Sequence, residues 1–218
     1  MSRPAAVLWD MDGTIVDTEG YFAESSRALL EEGGGQWTSG LARSLNGATL
    51  PDMARTLIAA GAVATSEEII ERFLLDVTAR LTREVPWKPG AVQVLAELRE
   101  LGVPTALVTM SYRVLAERVV AAVPFTPFDV IVTAEDVVHG KPAPDAYLLA
   151  ARKLGVDIGD CIVVEDSAPG ITAGVAAGAR VLGVPLSGHL LDRDDFLRWN
   201  GLDGRSAAEI LRAHDPSP

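Results

Sequence analysis

The chain has 218 residues, with 19 Lys and Arg against 30 Asp and Glu, and its net charge of -11 without any basic cluster excludes a surface that tracks a phosphate backbone. With 48% hydrophobic and 22% charged residues it is globular rather than disordered, long enough for one domain plus an insertion. No apolar stretch approaches a membrane span, Asp10 comes too early for a signal peptide, and the single cysteine, Cys161, excludes an internal disulfide. The expectation is a cytoplasmic protein with no nucleic acid, no membrane and no obligate protein partner.

The first element is the apolar run Ala5 to Trp9, which stops at Asp10 and Asp12 before Gly13 and Thr14. A run so bounded reads as a buried strand, and open α/β sheets carry their ligands in the loops beyond such strand ends. Alternation sends Asp10 and Asp12 to the same side, so two like charges crowd together unless a cation or a proton separates them. A turn in which Asp and Gly supply only backbone geometry is the other reading of these residues. Next, Asp17 to Glu32 has helical spacing and ends at Gly33-Gly34-Gly35. Two more helices are expected near Pro51 to Ala60 and Ser66 to Arg83, the second capped by Ser66 with Glu67 and Glu68 in its first turn.

No strand signal returns until Pro104, so residues 16–86 read as an all-helical insertion between core segments 1–15 and 87–218, with Pro86, Pro89 and Gly90 marking the return. From there helix and strand alternate. Helices are expected near Ala91 to Leu101, Val114 to Val123, Asp145 to Leu154 and Gly170 to Ala177. Strands are expected at Pro104 to Val108, Val130 to Thr133, Cys161 to Val164 and Arg180 to Val184. This pattern predicts an α/β fold with a doubly wound parallel sheet. A last helix is expected near Ser206 to Ala213. Cys161 lies in an apolar strand and reads as packing, and His139, His189 and His214 have no metal-ligand spacing.

Four segments, in order, resemble the motifs of the haloacid dehalogenase-like superfamily: Asp10-Met11-Asp12-Gly13-Thr14, the strand ending at Thr109, Lys141 in Gly140-Lys141-Pro142, and Glu165-Asp166 before Gly170-Ile171. The resemblance spans roughly residues 5 to 184 and implies a Rossmann-like core with a helical cap. It also implies a phosphatase or phosphomutase rather than a dehalogenase, because Asp12 stands where phosphate-transferring members carry an acid.

By that resemblance Asp10 is the nucleophile that becomes an aspartyl-phosphate and binds Mg2+. Asp12 gives its main-chain carbonyl to the metal and its side chain to the leaving alcohol as acid, then to water as base. Asp166 is the second carboxylate ligand, with Glu165 beside it holding the metal or its water. Lys141 sits between Asp10 and the phosphate. Thr109 would bind a phosphate oxygen, helped by backbone N–H groups of Met110 and Ser111, although Met110 replaces an Asn common in the family. In the cap, the segment Arg43 to Gly47 resembles a loop lowered toward the substrate, which makes Arg43 and Asn46 candidate contacts. Glu165-Asp166-Ser167 can also cap the next helix, but a cap explains only one of the two acids, and paired acids at a buried strand end are costly without a cation.

These assignments predict Mg2+-dependent hydrolysis of a small phosphorylated metabolite. The alternative is a β-phosphoglucomutase-like mutase. Against it stands Phe22, where the mutase branch carries a cap histidine. A non-catalytic binding module would be expected to have lost one of the acids or the lysine, and all are present.

Overall fold

In the computed structural model, which describes residues 3–45, 47–185 and 192–213, the chain separates into two units, Met1–Asp17 with Trp87–Pro218, and Thr18–Pro86. Val16 stays with the larger unit because it bridges Asp12 and Trp87.

The larger unit is built on a six-stranded parallel sheet of β1 (Ala6–Trp9), β2 (Thr105–Val108), β3 (Val130–Val132), β4 (Cys161–Glu165), β5 (Arg180–Gly183) and β6 (Leu197–Arg198), in spatial order β3-β2-β1-β4-β5-β6. The chain winds from β1 outward to β3, then returns to the other side of β1. That reversal opens a crevice beyond the carboxyl ends of β1 and β4. β6 is an addition to the expected strands. Its two residues are exposed and carry no apolar run that sequence periodicity could register.

Both sheet faces are buried. Leu8, Val108 and Val163 pack with Tyr147 and Ala150 of α7 (Asp145–Leu154) and with Ile171 of α8 (Ala168–Ala177). The alternate residues Val7, Trp9, Leu107, Ile162 and Val164 are equally inaccessible. This explains why the strands read as continuous apolar runs rather than alternating ones. The crossovers that lead to β2, β3, β4 and β5 carry the helices α5 (Ala91–Glu100), α6 (Arg113–Ala121), α7 and α8 in turn. The last helix, α9 (Ala207–Arg212), is tied to α5 by Glu97, whose carboxylate accepts from the Ala207 N–H at 2.8 Å.

The smaller unit is helical: α1 (Glu19–Glu32), α2 (Ser39–Leu45), α3 (Leu50–Ala59) and α4 (Ser66–Arg83). Two expectations change here. The cap of α4 is Thr65, whose hydroxyl accepts from the Glu68 N–H at 3.2 Å while the Glu68 carboxylate accepts from the Thr65 N–H at 2.7 Å, so Ser66 is the first helical residue. Arg43 lies in the last turn of α2, not in a loop. Ser39-Gly40 is a poor helix start by propensity, but the Thr38 hydroxyl accepts from the Leu41 N–H at 3.1 Å and secures it. Phe22 is half-buried and packs edge-on against the buried ring of Phe73, with centroids 6.0 Å apart.

Candidate active site

The register of the central strands sets the acids. Trp9 lies opposite Val164, so the next pair along is Asp10 and Glu165, and the Asp10 N–H donates to the Val164 carbonyl at 3.0 Å. Alternation then points both carboxylates to the α7–α8 side. Two nearly inaccessible acids thus share one end of the sheet.

Lys141 answers them. Its Nζ donates to Asp10 Oδ1 and Glu165 Oε1, each at 2.6 Å, and to the Val108 carbonyl at 2.9 Å. Burial alone would lower its pKa, but the two carboxylates outweigh that and hold the ammonium charged above the usual lysine range. The loop that carries it is fixed by Met110, whose sulfur accepts from the Lys141 N–H at 3.4 Å. Gly140 leaves room for that sulfur, which a β-carbon would approach to 2.7 Å and displace.

Glu165 is saturated by protein donors. Oε1 receives Lys141 and, at 2.8 Å, the Tyr147 hydroxyl. Oε2 receives the N–H groups of Asp166 and Ser167 and the Ser167 hydroxyl at 3.0 to 3.2 Å. Its side chain lies against the first turn of α8, where a β-carbon on Gly170 would sit 1.7 Å from Oε1. The Ser167 hydroxyl also accepts from the Gly170 N–H at 3.1 Å, so the capping reading of this segment falls to Ser167 alone, and α8 starts at Ala168.

Asp10 and Asp166 keep unspent capacity. Asp10 Oδ2 is buried without a hydrogen-bond partner among the described residues, and Asp166 Oδ1 receives only a long 3.4 Å bond from the Thr14 hydroxyl. Oxygens of Asp10, Glu165 and Asp166 lie within 4.8 Å of one another. Burial, then the charge of Glu165, pushes the Asp10 carboxyl up to about 7. Burial, then Asp10 and Glu165, pushes Asp166 up to about 9. Three acids against one ammonium leave the cluster short of positive charge, and a hard divalent cation with oxygen ligands fits that deficit. Gly13 allows the approach of Asp166 on two grounds: its φ is +90°, and a β-carbon there would meet Asp166 Oδ2 at 2.0 Å.

Asp12 faces a second set of donors. Thr109 Oγ1 donates to its Oδ2 at 3.2 Å and Ser111 Oγ donates to the same oxygen at 2.7 Å, while the Ser111 N–H donates to Thr109 Oγ1 at 2.9 Å. The Thr109 hydroxyl, expected on phosphate, is here engaged with Asp12. Asp10, Asp12, Thr109, Ser111, Lys141, Glu165 and Asp166 therefore form one connected constellation, with Met110 packed behind Lys141. Arg43 is exposed on α2 of the other unit. Asn46, His189 and His214 lie outside the described residues. His139 is bound to Asp145, Nδ1 to Oδ1 at 3.3 Å. Sequence reading passed over Tyr147 because it recurs with Ala146, Ala150 and Ala151 on an apolar helical face, where a tyrosine signals only core.

A family profile for haloacid dehalogenase-like hydrolases matches residues 4–178. Hexitol phosphatase A of Escherichia coli is 34% identical over 191 residues, covering 84% of this chain and 83% of that protein. The bifunctional riboflavin kinase/FMN phosphatase of Arabidopsis thaliana is also 34% identical, over 83% of this chain, and the chain spans about half of that protein's length, 48%. Among solved structures, a HAD hydrolase of Entamoeba histolytica superposes with a TM-score of 0.84 at 23% identity, covering 96% of this chain and 98% of that one. The β-phosphoglucomutase of Clostridium difficile superposes at 0.81 with 21% identity, covering 97% of each; likeness at this level speaks to the fold alone. With the motif residues assembled as the fold requires, the chain belongs to the haloacid dehalogenase-like hydrolase family, in its phosphatase branch.

Proposed function

We propose that the protein is a Mg2+-dependent phosphatase that hydrolyses a small phosphorylated metabolite, a sugar phosphate or similar phosphomonoester, through a phosphoryl group carried on Asp10. The observation that carries this reading is the state of Asp10: one oxygen is held by Lys141 at 2.6 Å and the other is buried with no donor among the described residues, at the end of a central strand. Relatives named for hexitol, fructose 1-phosphate and FMN phosphatase activity support the substrate class.

Asp10 and Asp166, with the Asp12 main-chain carbonyl, would hold the cation, and Glu165, whose oxygens are filled by protein donors, would contribute its nearby charge. When bound, Mg2+ supplies the positive charge that lets a carboxylate approach a phosphate dianion. Asp10 attacks phosphorus, the ester P–O bond breaks, and the Asp12 carboxyl protonates the departing alkoxide. Water then attacks the phosphorus, Asp12 takes its proton, and Asp10 leaves as carboxylate with inorganic phosphate released. Thr109 and Ser111 orient Asp12 for both transfers. Lys141 favours the ionised form of Asp10 against burial and the charge of Glu165, and faces the incoming phosphate as a point charge.

The helical unit is proposed as the cap that selects the metabolite, with Arg43 a candidate contact. Phe22, at the position of the mutase histidine, has no proton to move, which favours net hydrolysis over isomerisation. Among the described residues no helix is long and apolar enough to cross a membrane, and a cytoplasmic location belongs to this proposal. The test is a screen of phosphorylated metabolites with Mg2+ for released phosphate, including β-glucose 1-phosphate assayed for glucose 6-phosphate. Phosphate release from a sugar phosphate is expected; isomer formation far outrunning it would replace hydrolysis by mutase turnover.

A further inference from the structure

We propose that Tyr147 is a positioning residue that fixes the Lys141–Glu165 pair and thereby the aim of the ammonium at Asp10. The proposal rests on the phosphatase reading and adds to it a residue that makes no contact with the reacting groups expected there. Tyr147 is wholly buried on α7 and touches the pair in two separate ways. Its hydroxyl donates to Glu165 Oε1 at 2.8 Å, the same oxygen that receives Lys141 Nζ. Its ring stands 5.0 Å, centroid to Nζ, from the ammonium, within cation–π reach.

The ammonium has three N–H donors, and Asp10, Glu165 and the Val108 carbonyl take all three. The ring contributes a fourth, non-hydrogen-bonding contact that an apolar side chain of equal size lacks. Glu165 matters as much. It is buried at 0% exposure, so its oxygens depend on the protein donors around them, and among the described residues Tyr147 is the donor besides Lys141 that serves Oε1. Remove the phenol and Oε1 depends on Lys141 alone, which draws the ammonium from Asp10 toward Glu165. A purely space-filling tyrosine would be replaced by phenylalanine without consequence, because the ring volume is kept.

The test compares Tyr147→Phe, which keeps the ring and removes the hydroxyl, with Tyr147→Leu, which removes both, in the full chain with p-nitrophenyl phosphate and Mg2+. The Phe variant is expected to lose about tenfold in kcat and the Leu variant about a hundredfold, with KM within about twofold, as a shift in aim rather than in binding requires. A second readout is independent of turnover. The chain has three lysines, Lys88, Lys141 and Lys153, so carbon-13-labelled lysine gives three signals. The Lys141 ε-methylene is expected upfield under the ring in the native chain and the Phe variant, and at its ordinary position in the Leu variant. An unchanged kcat in Tyr147→Phe overturns the hydroxyl's role, and a Lys141 signal unmoved by Tyr147→Leu overturns the ring's. Absence of turnover in the native chain would instead reject the phosphatase reading, while the lysine signal still decides on the contact.

Discussion

Charge is handled in opposite ways at the carboxyl end of the sheet and in the helical unit. Lys141, Asp10 and Glu165 have side chains only 5%, 10% and 0% exposed, and the acids outnumber the base. In the helical unit the ion pairs among the described residues are wet: Arg27 with Glu31 at 61% and 50%, Arg72 with Glu32 at 41% and 58%. Buried charge is costly unless paired, and wet pairs are worth little. The contrast teaches where this chain accepts instability. The acid cluster is poorly compensated in the metal-free protein, and the helical unit stands on its apolar core of Leu57, Ile69, Phe73 and Val77 instead.

The largest expected effect tests the acids. Asp10→Asn removes the nucleophile, and turnover should fall on the order of 10⁶-fold, to background. Asp12→Asn should lose on the order of 10²–10⁴, the usual worth of a positioned acid and base. If the contrast is right, Asp10→Asn should also raise the thermal midpoint of the metal-free protein at pH 8, because it removes a poorly compensated charge. A variant that is both inactive and less stable would break the comparison.

Next in size is Gly170→Ala. The new methyl group would overlap the Glu165 carboxylate, with Oε1 at 1.7 Å and Cδ at 1.9 Å, and α8 backbone cannot yield as a surface side chain would. The carboxylate must swing, taking Lys141 with it. We expect about a hundredfold loss in kcat, typical of a small misplacement near the chemistry, and about 1–3 kcal/mol of destabilisation by overpacking in urea melts.

Metal and pH give a smaller, graded effect. Asp10 at about 7 and Asp166 at about 9 hold protons that the unfolded chain, with carboxyls near 3.8, has released. The folded state therefore binds more protons, and the unfolding free energy of the metal-free protein falls as pH rises from about 4 to about 9. Mg2+ should reverse this, stabilising strongly at pH 8 and hardly at pH 5. At a hundred times its dissociation constant the gain is about 2.7 kcal/mol. Equal Mg2+ effects at both pH values in thermal melts would show that the cation binds elsewhere.

The same contrast explains what could be read from the sequence. The strand ends at Asp10, Thr109 and Glu165 announce themselves because apolar runs stop there, and α4 and α7 carry strong periodicity bounded by clear stops. Contacts between segments distant in sequence left no such trace. The engagement of Thr109 and Ser111 with Asp12 spans nearly a hundred positions. The donors that fill Glu165 come from α7, the loop bearing Lys141 and the residues after β4, and only the folded register brings them to one carboxylate. Arg43 reads as a loop residue because Ser39-Gly40 hides the start of α2, which depends on a side-chain cap rather than on propensity.

The smallest expected effect lies in the helical unit. Arg72 donates to Glu32 on α1 at 3.1 Å and to Asp76 one turn along α4 at 3.2 Å, and its partners, the hydrogen bond to Glu32 first, raise its pKa. On paper it ties two helices together. Yet its side chain is 41% exposed, so solvent screens both pairs, and Asp76 keeps a 3.0 Å hydrogen bond from Ser25 when the guanidinium is gone. Arg72→Ala should therefore cost about 0.2–1 kcal/mol, a fall of a few degrees at most in thermal midpoint. That cost should shrink further in 1 M salt, where screening acts over about 3 Å. Turnover should be unchanged. A loss above about 2 kcal/mol, insensitive to salt, would place Arg72 among the buried pairs and erase the distinction between the two regions.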